Sequence, residues 1–212
     1  MIGILAPDGV VVEEASPGDE NGWLFGSELS AIQRANKKRR REFTIGRTCA
    51  RRALGRLGRH PVAIGIGEMR QPIWPTGIVG SLTHCHKYCA AAVAPASCFL
   101  SLGIDAEYIK GAPFGALAQV VSRADLVNRS EIGPDVARLL VFSAKEALFK
   151  AWYPLGGWLD FSEAAVHIIP GANWLSFDID RSARMRLRID AKFSGTWGIS
   201  DSHVFAVVAG SV

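Results

Sequence analysis

Residues 103–107, Gly103-Ile104-Asp105-Ala106-Glu107, and the later run Phe142-Ser143-Ala144-Lys145-Glu146-Ala147-Leu148-Phe149-Lys150 decide how this chain is read. The first closes a β-like run of Cys98, Phe99, Leu100, Leu102 and Ile104. Side chains two apart on a strand leave the same face, so Asp105 and Glu107 point one way. The second run is made of good helix formers, and Glu146 and Lys150, four apart, share a helical face. A helix packed across that strand end brings three carboxylates together beside lysines. Three hard oxygens suit Mg²⁺, which keeps several waters and completes its octahedron with substrate phosphate. Either piece alone is ordinary, a solvated strand edge or a surface helix pattern. The combination carries the reading.

Around these segments the pattern alternates between helical and extended stretches. Residues 1–26 read as strand and loop, with Val10-Val11-Val12 the strand. A helix starts at Ser27, a suitable N-cap, because Ile32, Ala35, Phe43, Ala50, Leu54 and Leu57 recur at helical spacing. One helix, or two broken near Asn36 or Gly46, fit equally. Gly58 and Pro61 stop it, and turn residues from Gly65 to Gly77 make a loop. Residues 78–83 and 88–95 read as strands. A second cycle opens with the strand of Asp105 and Glu107 and continues through helical stretches at 114–121 and 134–153. It ends in short strands at 165–169, 174–179, 185–189, 196–200 and 203–208. The fold class expected is α+β, built as two related, pseudo-symmetric halves, 1–101 and 102–212, with the active site in the cleft between them.

The 212 residues, 21% charged and 49% hydrophobic, have a globular composition without the signature of disorder. The start, Met1-Ile2-Gly3-Ile4-Leu5-Ala6, lacks a positive leader region, and no apolar run reaches membrane-spanning length, so a soluble cytoplasmic protein is expected. Cys49, Cys85, Cys89 and Cys98 are irregularly spaced. Cys85-x-x-x-Cys89 with His84 and His86 lacks a second pair at zinc-finger spacing, so buried reduced thiols are expected. The formal net charge of +4 is unevenly spread. Residues 8–28 carry Asp8, Glu13, Glu14, Asp19, Glu20 and Glu28 and no basic residue. Residues 34–59 are dense in Arg and Lys against Glu42 alone. An anionic partner is implied for that basic face.

Further segments fall in order along the chain: Arg39-Arg40-Arg41-Glu42-Phe43, Gly46-Arg47-x-Cys49-Ala50-Arg51, Arg70-x-Pro72-x-Trp74-Pro75, Gly80-Ser81-Leu82-Thr83-His84-Cys85, and Pro154-Leu155 with Trp158-Leu159-x-Phe161. With the two opening segments they resemble 4′-phosphopantetheinyl transferases of the surfactin/enterobactin type, closest to the enterobactin-synthetase component D branch. The resemblance runs over roughly residues 24–163. It implies transfer of the phosphopantetheine arm of coenzyme A, as co-substrate, to a serine of an apo acyl or peptidyl carrier protein. Adenosine 3′,5′-bisphosphate would leave, with Mg²⁺ (or Mn²⁺) required, in the service of nonribosomal peptide, siderophore, polyketide or fatty-acid synthesis. A monomer is implied, with no nucleic-acid or membrane partner.

Residue by residue, the resemblance maps Asp105, Glu107 and Glu146 onto metal-binding acids. Glu146 also falls at the general-base position, and Lys150 joins it as the catalytic pair. Coenzyme A contacts are implied for Arg39, Arg47, Arg70, Ser81, Thr83, His84, Asp105, Lys145, Lys150 and Leu159. Arginine suits phosphate because its planar fork bonds two oxygens at once. Two departures stand out. Lys87 replaces a glycine usual after His84-Cys85, and Ile66 stands where some relatives use lysine, leaving Arg70 to supply that charge. Loss of Glu107 or Glu146 is expected to be far more damaging than loss of Glu28.

Two competing readings are set beside this one. Clustered arginines on one helix are an electrostatic footprint of nucleic-acid binding, but no finger, RRM or KH signature accompanies them. Another Mg²⁺ phosphoryl enzyme would need a Walker or kinase motif, and the sequence has neither.

Overall fold

A computed structural model describes residues 1–212 apart from 17, 118–119, 123–124, 128–131 and 170. In chain order the elements are α1 (Ile2–Leu5), β1 (Val11–Glu14), a 3-10 turn at Asp19–Asn21, α2 (Gly26–Ala31), α3 (Lys37–Arg56), β2 (Gly65–Ile66), β3 (Pro72–Ile73), β4 (Ile78–Cys85), β5 (Tyr88–Pro95) and β6 (Ser101–Tyr108). They continue with α4 (Phe114–Leu117), β7 (Leu126–Val127), α5 (Pro134–Gly156), β8 (Ala164–Ile169), β9 (Trp174–Ile179), α6 (Arg181–Arg184), β10 (Lys192–Ile199) and β11 (His203–Ser211). This is the α+β fold expected. The end of the helical stretch read at 114–121 includes residues outside those described.

Three strands in the order β1-β5-β4 form one sheet, six in the order β6-β11-β10-β9-β8-β7 form a second, and β2 and β3 pair as a two-stranded hairpin. α3 lies on the first sheet, burying Cys49, Ala50, Ala53 and Leu54 against Ile78, Ala91 and Val93. α5 lies on the second, with Leu140, Leu148 and Trp152 in the largest core. A third apolar cluster (Ile2, Ala90, Ala92, Ile104, Phe205 and Val207 among its members) fills the seam between the sheets.

Local chemistry explains the ends of the two long helices. Asn36 caps α3, its Oδ1 accepting from the Arg39 amide at 2.8 Å. The break expected near Asn36 or Gly46 therefore falls at Asn36, and α3 runs through Gly46 unbroken. α5 starts with Pro134 in its first turn and stops before Gly157, whose φ is +73°.

Two local readings need correction. Residues 185–189 are not a strand. β9 and β10 pair directly, Gly195 opposite Leu175, so the segment is only their connection. There Arg186 folds back onto Glu163 at 2.8 Å and the Trp158 carbonyl at 3.1 Å. Residues 2–5 form a helical turn rather than strand or loop, because Ile2 is drawn wholly into the inter-sheet core. Among the described residues, no helix is long and apolar enough to cross a membrane.

Candidate active site

Gly103 decides where the acids sit. A Cβ there would lie 1.8 Å from the Ala147 carbonyl oxygen, so only glycine lets α5 lie flat on β6. That close approach brings Glu146 and Lys150 of α5 over Asp105 of β6. Lys150 Nζ donates to Asp105 Oδ1 at 2.7 Å and to the Ile104 carbonyl at 3.0 Å.

From the other side β4 runs along β6 and meets it through side chains. Ser81 Oγ accepts from the Ile104 amide at 3.1 Å, and Thr83 Oγ1 accepts from the Ala106 amide at 3.1 Å. The Thr83 hydroxyl donates to Asp105 Oδ1 at 3.3 Å. Asp105 is 4% exposed, and its Oδ2 is buried without a hydrogen-bond partner. A bare buried carboxylate oxygen is costly unless something positive answers it.

The neighbouring acids show the same shortage of positive charge. Burial, then Asp105 and Glu146, push the Glu107 carboxyl up to about 7 against the pull of Lys150. Burial and Asp105 also raise the Glu146 carboxyl, again opposed by Lys150. Among the described residues no three His, Cys, Asp or Glu side chains form a ready metal cage. Asp105, Glu107 and Glu146 nevertheless fit a divalent cation as a donor set. They are hard oxygens that repel one another, and one oxygen is orphaned.

A cleft of about 330 Å³ opens beside this cluster. Glu146, Phe149, Lys150, Tyr153 and Pro154 of α5 form one wall. Arg39, Glu42, Phe43, Gly46 and Arg47 of α3 form the opposite wall. The β2–β3 hairpin with Trp74 roofs it, and residues 80–84 of β4 floor it. Arg39 Nη1 donates to His84 Nε2 at 3.1 Å, so that nitrogen is the acceptor and His84 is held neutral. Burial lowers the pKa of this histidine; Glu42 opposes, and Arg39 and Lys150 add to the lowering. Beyond His84 the β4–β5 turn is pinned to the other half, His203 Nε2–H donating to the His86 carbonyl at 2.9 Å. Lys87, in that turn, has a φ of +57°.

The residues expected at the site separate into groups. Arg39, Arg47, Arg70, Ser81, Thr83, His84, Glu146 and Lys150 line the cleft, and Asp105 lies under Lys150. Glu107 lies close enough to Asp105 and Glu146 for their charges to raise its pKa. Arg47 is committed elsewhere: Nε donates to the Ile64 carbonyl at 3.0 Å and Nη2 to that of Gly65 at 3.2 Å. Lys145 and Leu159 stand apart from the cleft. Lys145 points into the C-terminal core, 1% exposed, 3.1 Å from Asp125 Oδ2 and donating to the Phe161 carbonyl at 3.0 Å. One residue of rotation around α5 separates its face from that of Glu146. Leu159 is 3% exposed and packs in the large core.

The basic helix also finds partners inside the chain. Arg52 pairs with Asp19, Arg56 with Glu13 at 2.9 Å and Arg41 with Glu20 at 3.6 Å. Glu28 holds Arg51 at 3.0 Å and Arg47 at 3.8 Å. The acidic stretch is thus the counter-strip of the basic one. The anionic partner implied for that face is in good part residues 13–28 of the same chain, and burial of Arg47 and Arg51 removes two charges from any nucleic-acid surface. Reading of the sequence missed Glu28 and Arg51. The signal was there: Arg47 and Arg51, four apart among Phe43, Ala50 and Leu54, sit on an apolar helix face, which calls for a buried acid.

Comparison with known proteins shows the family. The family model for the 4′-phosphopantetheinyl transferase N-terminal domain matches residues 27–94, and that for the 4′-phosphopantetheinyl transferase superfamily matches residues 101–208. The chain belongs to the 4′-phosphopantetheinyl transferase superfamily. It is 41% identical to the 4′-phosphopantetheinyl transferase Svp of Streptomyces mobaraensis over 99% of this chain and 89% of that protein. It is 45% identical to the transferase Npt of Nocardia iowensis over 78% of this chain and 76% of that one. Enterobactin synthase component D of Salmonella typhi is 32% identical over 68% of this chain and 61% of its own length.

Proposed function

We propose that this phosphopantetheinyl transferase takes its 4′-phosphopantetheine from coenzyme A, requires Mg²⁺, and delivers the group to a serine of an apo acyl or peptidyl carrier protein. The observation that carries the reading is the meeting of Asp105, with its orphaned Oδ2, Glu107, Glu146 and Lys150 beside a cleft whose facing wall holds Arg39 and whose floor holds His84. Asp105, Glu107 and Glu146 would hold Mg²⁺, which when bound draws charge from the diphosphate and stabilises the leaving bisphosphate.

The side chains divide the remaining work. Arg39, with His84 beside it, takes the 3′-phosphate at the nucleotide end, and Arg70 adds charge from the hairpin. Lys150 lies beside the diphosphate, held in place by Asp105 and the Ile104 carbonyl. Glu146, on the α5 wall of the cleft, is the candidate acceptor of the serine hydroxyl proton. As that proton leaves, the serine oxygen bonds to the pantetheine-bearing phosphorus. The bond from phosphorus to the bridging oxygen breaks, and adenosine 3′,5′-bisphosphate departs. Phe149, its edge against Trp158 at 5.2 Å, and Tyr153 give the pantetheine arm an apolar wall.

The test is the intact mass of an apo carrier protein incubated with the chain, coenzyme A and Mg²⁺, beside an EDTA control. A gain of about 340 Da, absent with EDTA, is expected. No gain on either acyl or peptidyl carriers, or a gain indifferent to EDTA, would refute the donor–metal–acceptor assignment.

A further inference from the structure

Among the described residues Glu28 is the most fully employed acid, and no part of the proposed chemistry uses it. Its side chain is 1% exposed. Oε1 accepts from Arg51 Nη1 at 3.1 Å and from the Ile64 amide at 2.9 Å. Oε2 accepts from Arg51 Nη1 at 3.0 Å and from the Phe25 amide at 2.9 Å. Arg51 is covered in turn by an aromatic pair, its guanidinium 4.4 Å over Trp23 and 5.7 Å from the Phe25 ring, with Nη2 donating to the Trp23 carbonyl. Arg47 closes the circuit, 3.8 Å from Glu28 and 4.3 Å over Phe43 while it donates to the Ile64 and Gly65 carbonyls.

Three pieces of chain therefore meet on one carboxylate: the entry to α2, the buried face of α3, and the root of the β2–β3 hairpin. That hairpin carries Met69, Arg70 and Gln71 over the cleft. It is a two-residue ladder, Gly65 opposite Ile73 and Ile66 opposite Pro72, too short to fix its own direction. Its root is fixed by Glu28 at the Ile64 amide and by Arg47 at the next two carbonyls. Glu28 is also the acid that answers Arg47 and Arg51, buried side by side; without it, two like charges share an apolar pocket.

We infer that Glu28 is a positioning residue for the cleft, setting the hairpin and the Arg47 side chain where coenzyme A is bound. The inference rests on the cleft being the coenzyme A site. It gives Glu28, so far only the milder comparison for Glu107 and Glu146, a part in binding, and it separates binding from chemistry, because Glu28 is tied to α2, α3 and the hairpin and not to Asp105, Glu146 or Lys150.

Two variants test it. Glu28→Gln keeps the shape and removes the charge. Glu28→Asp keeps the charge but is one methylene too short to reach the Ile64 and Phe25 amides together. Each is compared with the wild-type chain for KM toward coenzyme A, for kcat, and for amide hydrogen exchange over residues 64–73. Glu28→Gln is expected to raise KM about tenfold, the scale on which one charge-assisted hydrogen bond acts, with kcat within about twofold. Glu28→Asp should move KM the same way by less, and should serve alone if the glutamine variant does not fold. Exchange should quicken in 64–73 while the rest of the chain keeps its protection. An unchanged KM, or kcat and KM failing together with exchange raised throughout, would overturn the inference and leave Glu28 a merely structural anchor. If the wild-type chain does not bind coenzyme A, the proposed donor is wrong. The exchange arm then decides alone: local quickening supports Glu28's hold on the hairpin, and unchanged exchange removes it.

Discussion

The two long helices, α3 and α5, face each other across the cleft and both combine apolar packing with a buried ion pair, but in different measure. α5 is anchored by apolar packing: alanines, leucines and Trp152 fill the core, and a glycine on β6 lets the backbones touch. α3 carries five arginines or lysines in its first five positions and still buries Arg47 and Arg51, which an acidic strip and a fully buried Glu28 neutralise. The cleft needs unlike walls. On the α5 side, carboxylates must be crowded and short of positive charge, so the scaffold beneath them is apolar and unyielding. On the α3 side, guanidinium groups must be presented to phosphate, and surplus charge is absorbed by the chain's own acids so that only part of it stays available.

The comparison can be broken most sharply at the glycine. Gly103→Val should lift α5 off β6, costing about 3 kcal/mol or more of stability in urea unfolding and abolishing transfer. Next comes the acid on the helix: Glu146→Gln should slow transfer at least about 100-fold. The same variant should unfold no earlier than the wild type in the absence of metal, since it relieves repulsion with Asp105. A coincident loss of stability would mean that Glu146 is a packing residue.

A third experiment uses pH. A glutamate ionises near 4.5 in the unfolded chain and near 7 at Glu107 in the fold, so between those values unfolding releases a proton. This group's contribution to stability should therefore fall as pH rises from about 4.5 to about 7 and then level off. In metal-free protein the stability difference between pH 5 and pH 8 should shrink in Glu107→Gln; an identical difference would remove the charge-crowding account. The smallest effect belongs to Lys87, held at a φ of +57° where glycine is at ease. Lys87→Gly should raise stability by about 0.5–1 kcal/mol, seen as a small rise in Tm with activity unaltered.

What could be read from residues was what repeats locally. The two-residue spacing of Asp105 and Glu107, the four-residue spacing of Glu146 and Lys150, and the stop residues were enough to place the strands and helices that carry the acids, whereas Ser27, read as an N-cap, lies inside α2, whose N-cap is Phe25. What could not be read depends on partners far away in sequence. Lys145 has as good a claim to a phosphate as Lys150 by spacing, and it is Asp125 with the Val120 and Phe161 carbonyls, arriving from elsewhere in the chain, that take it into the core. Ser81 and Thr83 look like small residues opening a ligand site, yet their hydroxyls are spent on β6 amides. The acidic and basic stretches are legible as composition, but their mutual pairing is a fact of folding. Residues 185–189 alternate like a strand and lack only a neighbour.

The seam between β4 and β6 has a consequence for the order of assembly. The amides of Ile104 and Ala106 are answered by two hydroxyls from the N-terminal sheet, and Thr83 also touches Asp105. The C-terminal half by itself would carry those amides bare and its key aspartate unsupported. A chain emerging from the ribosome makes Ser81 and Thr83 before Ile104, so the receiving hydroxyls exist before the strand that needs them. Docking of the two sheets is then the step at which the acid acquires its final surroundings. Catalytic competence should appear with the last cooperative phase of folding and not before it.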